Sequence, residues 1–87
     1  MKLKKGFKCV TIGEDKFIIE VGGSTVDLRS AMLLNPAAEL LFTALFEDRS
    51  EKELADVLVS AYDVDDLTAE KDVSEFVLKL KERDMLD

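Results

Sequence analysis

Few side chains in this chain are of a type that could carry out covalent or metal chemistry. The 87 residues include no histidine and one cysteine, Cys9, which excludes a histidine triad, a histidine-containing zinc site and an internal disulfide.

The acidic run at 63–66 begins like a calcium loop. An EF-hand also needs an oxygen ligand at its fifth position, glycine at its sixth and glutamate at its twelfth. Those positions hold Leu67, Thr68 and Ser74, so the run is interpreted as a solvated acidic linker.

The remaining candidates for catalysis are Cys9 and the carboxylates. Cys9 lies in a predicted strand without a histidine or a second cysteine to activate it, which favours an inert strand residue. The carboxylates fall mainly on polar helix faces, where nothing would raise the pKa of one member of an acid–base pair. We therefore expect no enzymatic activity, no bound metal and no cofactor.

The charge is unevenly distributed along the chain. Twelve Lys and Arg residues stand against 19 Asp and Glu, a net charge of −7, which opposes general binding to nucleic-acid backbones. Residues 1–34 carry a net +2 and residues 35–87 a net −9. The sequence has no apolar run of about 18 residues, and no apolar segment typical of a signal peptide follows Met1. We expect a cytoplasmic protein without a membrane span, folded as a single domain over residues 1–87.

Three strands and three helices are predicted to position these residues. Short apolar and β-branched runs bounded by Gly-containing turns predict strands over 7–12, 16–21 and 25–34. Asn35-Pro36 begins a helix to about 47 that is apolar over most of its circumference. Ser50 and Glu53 form a capping box for a helix to about 62. Thr68 is predicted to cap a third helix over about 69–83. The buried stripes are predicted to comprise Leu54, Val57, Leu58, Ala61 and Tyr62 on the second helix, and Val73, Phe76, Val77 and Leu80 on the third.

This order of elements predicts an α+β fold, a three-stranded antiparallel sheet followed by three helices, similar to a winged helix-turn-helix. One function of such a fold is DNA binding, with the third helix in the major groove. The N-terminal half of the third helix carries Glu70, Asp72 and Glu75, which would repel phosphate. A second function uses the sheet edge, where the third strand could accept a peptide as an added strand. The apolar residues near Met32 are equally compatible with a fully covered strand, and an exposed apolar edge also allows a strand-swapped homodimer.

The sequence resembles the PqqD family, the precursor-peptide-binding modules also called RiPP recognition elements. The resemblance runs from Gly6-Phe7 to Leu86. The segments that carry it are Leu34-Asn35, Leu40-Leu41-Phe42 with Leu45, Ser50 to Leu54, Tyr62 to Asp65, Asp72-Val73 with Phe76 and Leu80, and Met85-Leu86. Three features depart from the family pattern. Asp84 stands where glycine is common, and Phe42 stands where tryptophan is frequent. Pro36-Ala37-Ala38 replaces a stretch that is more usually similar to Glu-Thr-Gly. We expect the Asp84 cap to differ, since aspartate tolerates the left-handed conformation less well than glycine.

The resemblance implies a non-catalytic peptide chaperone. Such proteins bind the leader segment of a ribosomally synthesised precursor peptide and present it to a modifying enzyme, often a radical SAM enzyme. The family is named after pyrroloquinoline quinone (PQQ) biosynthesis, and similar modules serve other natural-product pathways. The leader would add to the third strand beside the third helix. The peptide-binding residues implied are Leu28, Arg29, Ser30, Ala31, Met32, Leu33, Leu34, Phe76, Lys79, Leu80 and Arg83. Core packing is an alternative role for Phe76 and Leu80, and helix C-terminal charge for Lys79 and Arg83.

Overall fold

A computed structural model describes residues 1–21 and 31–87. Its strands are β1 (Phe7–Ile12), β2 (Asp15–Glu20) and β3 (Met32–Leu34), and its helices are α1 (Pro36–Ala44), α2 (Glu51–Ala61) and α3 (Asp66–Glu82). The described strands form one antiparallel sheet in the order β1-β2-β3. The predicted α+β class and order of elements are therefore confirmed.

Both ends of β2 and the start of β3 differ from the sequence prediction, and β2 ends at Glu20, one residue before the expected position. The hairpin turn after β1 consists of Gly13, with a φ of 65°, and Glu14, so that Asp15 already pairs with Ile12 and β2 begins one residue earlier than expected. Positive φ angles are typical of such two-residue turns. Positions 25–30 of the predicted third strand lie outside the described residues. Within the described part, Ala31 precedes the strand and pairing with β2 begins at Met32.

Side-chain caps fix the starts of the first two helices as predicted. The Asn35 side chain accepts a hydrogen bond of 2.8 Å from the Ala38 N–H, and Pro36 occupies the first turn of α1. At α2, the Ser50 hydroxyl accepts from the Glu53 N–H while the Glu53 carboxylate accepts from the Ser50 N–H. These bonds satisfy amides that lack partners within the helices.

The third helix begins earlier than predicted. Asp65, not Thr68, is its N-cap, and the Asp65 carboxylate accepts a 2.7 Å hydrogen bond from the Thr68 N–H. Thr68 therefore lies inside the first turn, and Asp66, which was expected in a linker, is the first helical residue.

The first helix ends at Ala44, three residues before the expected position. The Leu45 N–H is shared between the carbonyls of Leu41 and Phe42, while the Leu45 carbonyl accepts from the Leu3 N–H at 2.9 Å. The N-terminal segment thus donates to the Leu45 carbonyl, which a further turn of α1 would need as an acceptor. Phe46, which was expected on the apolar surface of this helix, lies beyond its end, is 54% exposed and rests edge-on against Phe42, with ring centroids 5.1 Å apart.

One apolar core joins the sheet to all three helices. The predicted α3 stripe is confirmed, with Ala69 added: Val73, Phe76, Val77 and Leu80 are all buried. On α2, Leu54 and Leu58 are buried as predicted. Ala61 and Tyr62 are exposed, and the prediction that they belong to the stripe was wrong.

The C-terminus of α3 keeps its left-handed cap despite the aspartate. Asp84 has a φ of 54°, the Asp84 N–H donates to the Lys81 carbonyl, and the Met85 N–H donates to the Leu80 carbonyl. These two bonds constitute a Schellman motif. The expectation that the cap would differ was therefore wrong, since Asp84 adopts the conformation that glycine usually supplies.

Candidate functional site

The strand β3 exposes one edge within the described part of the chain. It pairs with β2 on one side, and no described strand pairs with its other side. Its side chains alternate: Met32 and Leu34 are 8% and 6% exposed and lie in the core, while Leu33 is 61% exposed on the opposite face of the sheet.

The hydrogen-bond register shows which backbone groups face that open edge. The Val21 N–H donates to the Gly6 carbonyl, which marks a bonded pair between the β1 and β2 sides of the hairpin. Because bonded pairs alternate along an antiparallel ladder, Phe17 turns its backbone groups to β1 and Ile18 turns its groups to β3. Ile18 is opposite Met32, so the N–H and C=O of Leu33 point away from β2, into the open edge.

Two clefts lie beside α3, one against the sheet and one against α1 and its N-cap. The first, of about 210 Å³, is lined by Phe7, Ile18, Glu20, Met32, Arg83 and Met85. The second, of about 150 Å³, is lined by Asn35, Ala37, Ala38, Leu41, Asp72, Glu75, Phe76 and Lys79. The start of β3 thus shares a cleft with the end of α3, and the residue after β3 shares one with the middle of α3.

The predicted site residues outside β3 have different surroundings in the structure. Arg83 and Lys79 are exposed and line the first and second cleft, respectively. Phe76 is 6% exposed and forms part of the second cleft, whereas Leu80 is 0% exposed and packs entirely within the core. Ala31 is half-buried immediately before β3. Leu28, Arg29 and Ser30 lie outside the described residues.

The clefts also contain residues that sequence reasoning did not assign to the site. Phe7 and Ile18 could have been found from strand alternation, since both lie on the core-facing side of the sheet with Met32. Glu20 shares that side. No sequence signal places Met85 there, because it reaches the cleft through the turn after α3.

Backbone pairing between the chain ends holds Met85 and the end of α3 against the sheet. The Lys4 N–H donates to the Met85 carbonyl at 2.9 Å, and the Asp87 N–H donates to the Lys2 carbonyl at 2.7 Å. Between them, Leu3 and Leu86 form an antiparallel bridge. The wall of the first cleft is consequently fixed by main-chain bonds.

Electrostatic contacts hold the helices that border the second cleft. Lys16 on β2 donates a 2.6 Å hydrogen bond to the Glu39 carboxylate on α1, and this bond raises the pKa of Lys16 above its ordinary value. At the start of α3, the hydrogen bond from Thr68 lowers the pKa of Asp65. Both shifts favour the charged forms that make these contacts.

The described residues offer no metal site and no buried reactive group. Within 1–21 and 31–87, no three His, Cys, Asp or Glu side chains come together as metal ligands, and no buried side-chain polar atom lacks a hydrogen-bond partner. Cys9 is half-buried against the core. No described helix combines the length and apolar character needed to cross a membrane. The arrangement can pair with an extended chain and accommodate its side chains.

Comparison with known proteins gives one family and two similar structures. Residues 24–86 match the family model described as "Coenzyme PQQ synthesis protein D (PqqD)". The fold is similar to a structure of TbiB1 in complex with the TbiA(beta) leader peptide, with a TM-score of 0.75, 20% identity, and coverage of 100% of this chain and 95% of that one. It is also similar to lasso peptide synthetase B1 complexed with the leader peptide, with a TM-score of 0.72, 24% identity and coverage of 97% and 93%. No curated protein sequence matches the chain.

Proposed function

The chain belongs to the PqqD family, and on that premise we propose that it is a peptide chaperone that binds the leader segment of a ribosomally synthesised precursor peptide by strand addition. The observation that carries this proposal is the open β3 edge, with the Leu33 backbone facing outward beside the two α3 clefts. Both similar structures are complexes with leader peptides, which supports the same reading.

Strand addition uses backbone and side chains for different purposes. A bound peptide residue opposite Leu33 exchanges two hydrogen bonds with it, each contributing about 0.5–1.5 kcal/mol net. These bonds hold any extended sequence. Residues on either side of that pair turn their side chains toward α3, where the clefts containing Arg83 and Lys79 supply selectivity. In this proposal Leu80 and the buried part of Phe76 support the helix from within the core.

The proposed role is tethering without catalysis. Binding the leader raises the effective concentration of the attached core peptide at an enzyme that also contacts the module, to the millimolar range for a short flexible linker. This role requires no cofactor and no metal ion. We propose that the partner is a radical SAM or other peptide-modifying enzyme of the cytoplasm, in PQQ biosynthesis or another peptide pathway.

Isothermal titration calorimetry with a synthetic leader peptide tests the proposal directly. The genomic neighbourhood of the gene for this chain is searched for a short precursor gene, and the leader encoded there supplies the peptide. We expect saturable 1:1 binding; no binding at high micromolar peptide would reject that peptide as the ligand. A parallel titration with duplex DNA tests the alternative of a winged-helix regulator, which would bind with strong salt dependence. Sedimentation of the free and bound protein tests whether the chain forms the strand-swapped homodimer that an open edge allows.

A further inference from the structure

The two ends of the open β3 edge differ in chemistry. At the Met32 end, the first cleft is formed by the apolar side chains of Phe7, Ile18, Met32 and Met85. Its charged members are one cation, Arg83, and one carboxylate, Glu20. This end is therefore apolar at its base and balanced in formal charge at its rim.

Carboxylates predominate at the Asn35 end. In the cleft toward α3, Asp72 and Glu75 stand against Lys79. A further cleft on the other side of Asn35 is lined by Glu14, Asp15, Lys16, Leu33, Leu34, Asn35, Pro36 and Glu39. There, Lys16 is already paired with Glu39 at 2.6 Å. Carboxylates thus outnumber ammonium groups on both sides of this end.

Two residues that line the clefts are spaced along α3 much as side chains on one face of an extended peptide are spaced. Side chains on the same face of a strand recur every two residues, about 6.6 Å apart. Arg83 and Lys79 are four residues apart on α3, a rise of about 6 Å, and they lie in the first and second cleft, respectively. In the strand addition proposed above, a peptide residue beside Met32 would face the first cleft, and the residue two positions along would approach the second cleft at Asn35.

Resting on the strand addition proposed above, we propose that the bound segment carries a large apolar residue and a lysine or arginine two positions apart. The apolar side chain enters the cleft at Met32 and is removed from water there. The basic side chain lies near Asp72 and Glu75, where a carboxylate would meet like charges. Lys79 offsets part of this acidic character, but the two carboxylates outnumber it.

Selection from a random peptide library on the immobilised 87-residue protein tests this pattern. We expect the enriched sequences to share an apolar and a basic residue separated by one position. A synthetic peptide of the consensus should bind more weakly when its basic residue is replaced by glutamate. Enrichment of acidic residues at that position, or an unchanged dissociation constant after the replacement, would overturn the inference.

A matched pair of double variants locates the effect. Asp72→Asn with Glu75→Gln should weaken binding of the consensus peptide about three- to tenfold, as expected for two exposed charge contacts. The control, Asp63→Asn with Glu70→Gln, removes the same charge from the α2–α3 connection and from a separate cleft, and should leave binding unchanged. Equal losses in the two variants would refute local recognition.

A proline at Leu33 separates this inference from the proposed function. If Leu33→Pro leaves binding of the selected peptides intact, strand addition itself fails. If Leu33→Pro weakens binding but neither the peptide charge nor the Asp72 and Glu75 substitutions matter, the pattern fails while strand addition stands.

Discussion

Replacing Leu33 with proline removes one outward-facing backbone N–H from β3. The alternation of the ladder directs this N–H away from β2, so the bonds that hold β3 in the sheet are kept. Proline is tolerated on edge strands where the lost N–H faces outward. Because Leu33 is 61% exposed, the substitution also removes little core packing. We therefore expect the variant to fold.

The effect on peptide binding follows from the lost donor. One hydrogen bond of this kind contributes about 0.5–1.5 kcal/mol net, which corresponds to a two- to thirteenfold rise in dissociation constant, at about 1.4 kcal/mol per factor of ten. The pyrrolidine ring also projects into the position of the added strand, so the upper part of this range is expected. Ala31→Pro should act in the same direction, because Ala31 is two residues before Leu33 and its N–H therefore points to the same side of the strand.

Calorimetric titration of the leader peptide measures the effect, and the opposite edge of the sheet offers a matched control. Thr11 on β1 is exposed, and the same alternation turns its N–H away from β2. Thr11→Pro should therefore perturb the sheet equally and leave peptide binding unchanged. Urea unfolding and circular dichroism establish that each variant is folded. Unchanged affinity in folded Leu33→Pro and Ala31→Pro variants, or an equal loss in Thr11→Pro, would refute strand addition at β3.

Three further predictions concern the contacts that position α2 and α3. Asp84→Val should lower the free energy of unfolding by about 1–2 kcal/mol, because a β-branched residue is strained at the φ of 54° in the left-handed region. Asp84→Gly should not lower it. A valine variant that is as stable in urea as the parent would contradict the role of Asp84 as a left-handed helix cap. Ser50→Ala should lower it by about 1 kcal/mol through loss of the capping box with Glu53, with a Ser50→Asp control that retains a cap. The lowered pKa of Asp65 means that its contribution to stability is present above its ordinary pKa of 3.8 and is lost as the pH falls through the lower folded value. Asp65→Asn should reduce that acid dependence in unfolding curves, and an unchanged pH profile would show that the Thr68 contact does not contribute.

The sequence predicted those parts of the fold that depend on local signals. The Asn35 and Ser50 caps, the Gly13 turn and the α3 stripe of Val73, Phe76, Val77 and Leu80 are confirmed. Each depends on residues within one or two turns of each other, so local conformational preference and periodicity suffice to identify it.

Two of the wrong predictions, the start of α3 and the end of α1, occur where local signals compete with each other or with distant contacts. Asp65 and Thr68 are both good capping residues, and the earlier one captures the free amide. The end of α1 depends on Leu3, which takes the Leu45 carbonyl from far away in the sequence. Such competition is not visible in the pattern of apolar residues.

The sequence by itself determined the class of the fold, the order of its elements, the buried face of α3 and the uneven charge of the two halves. Tertiary structure decided that Leu33, rather than Met32 or Leu34, turns its backbone outward, and that Met85 and Asp72 belong to the clefts beside it. The physical reason is that register and cleft walls arise from pairing between distant segments. A shift of one residue in strand pairing would reverse which side chains enter the core and which amides face the open edge.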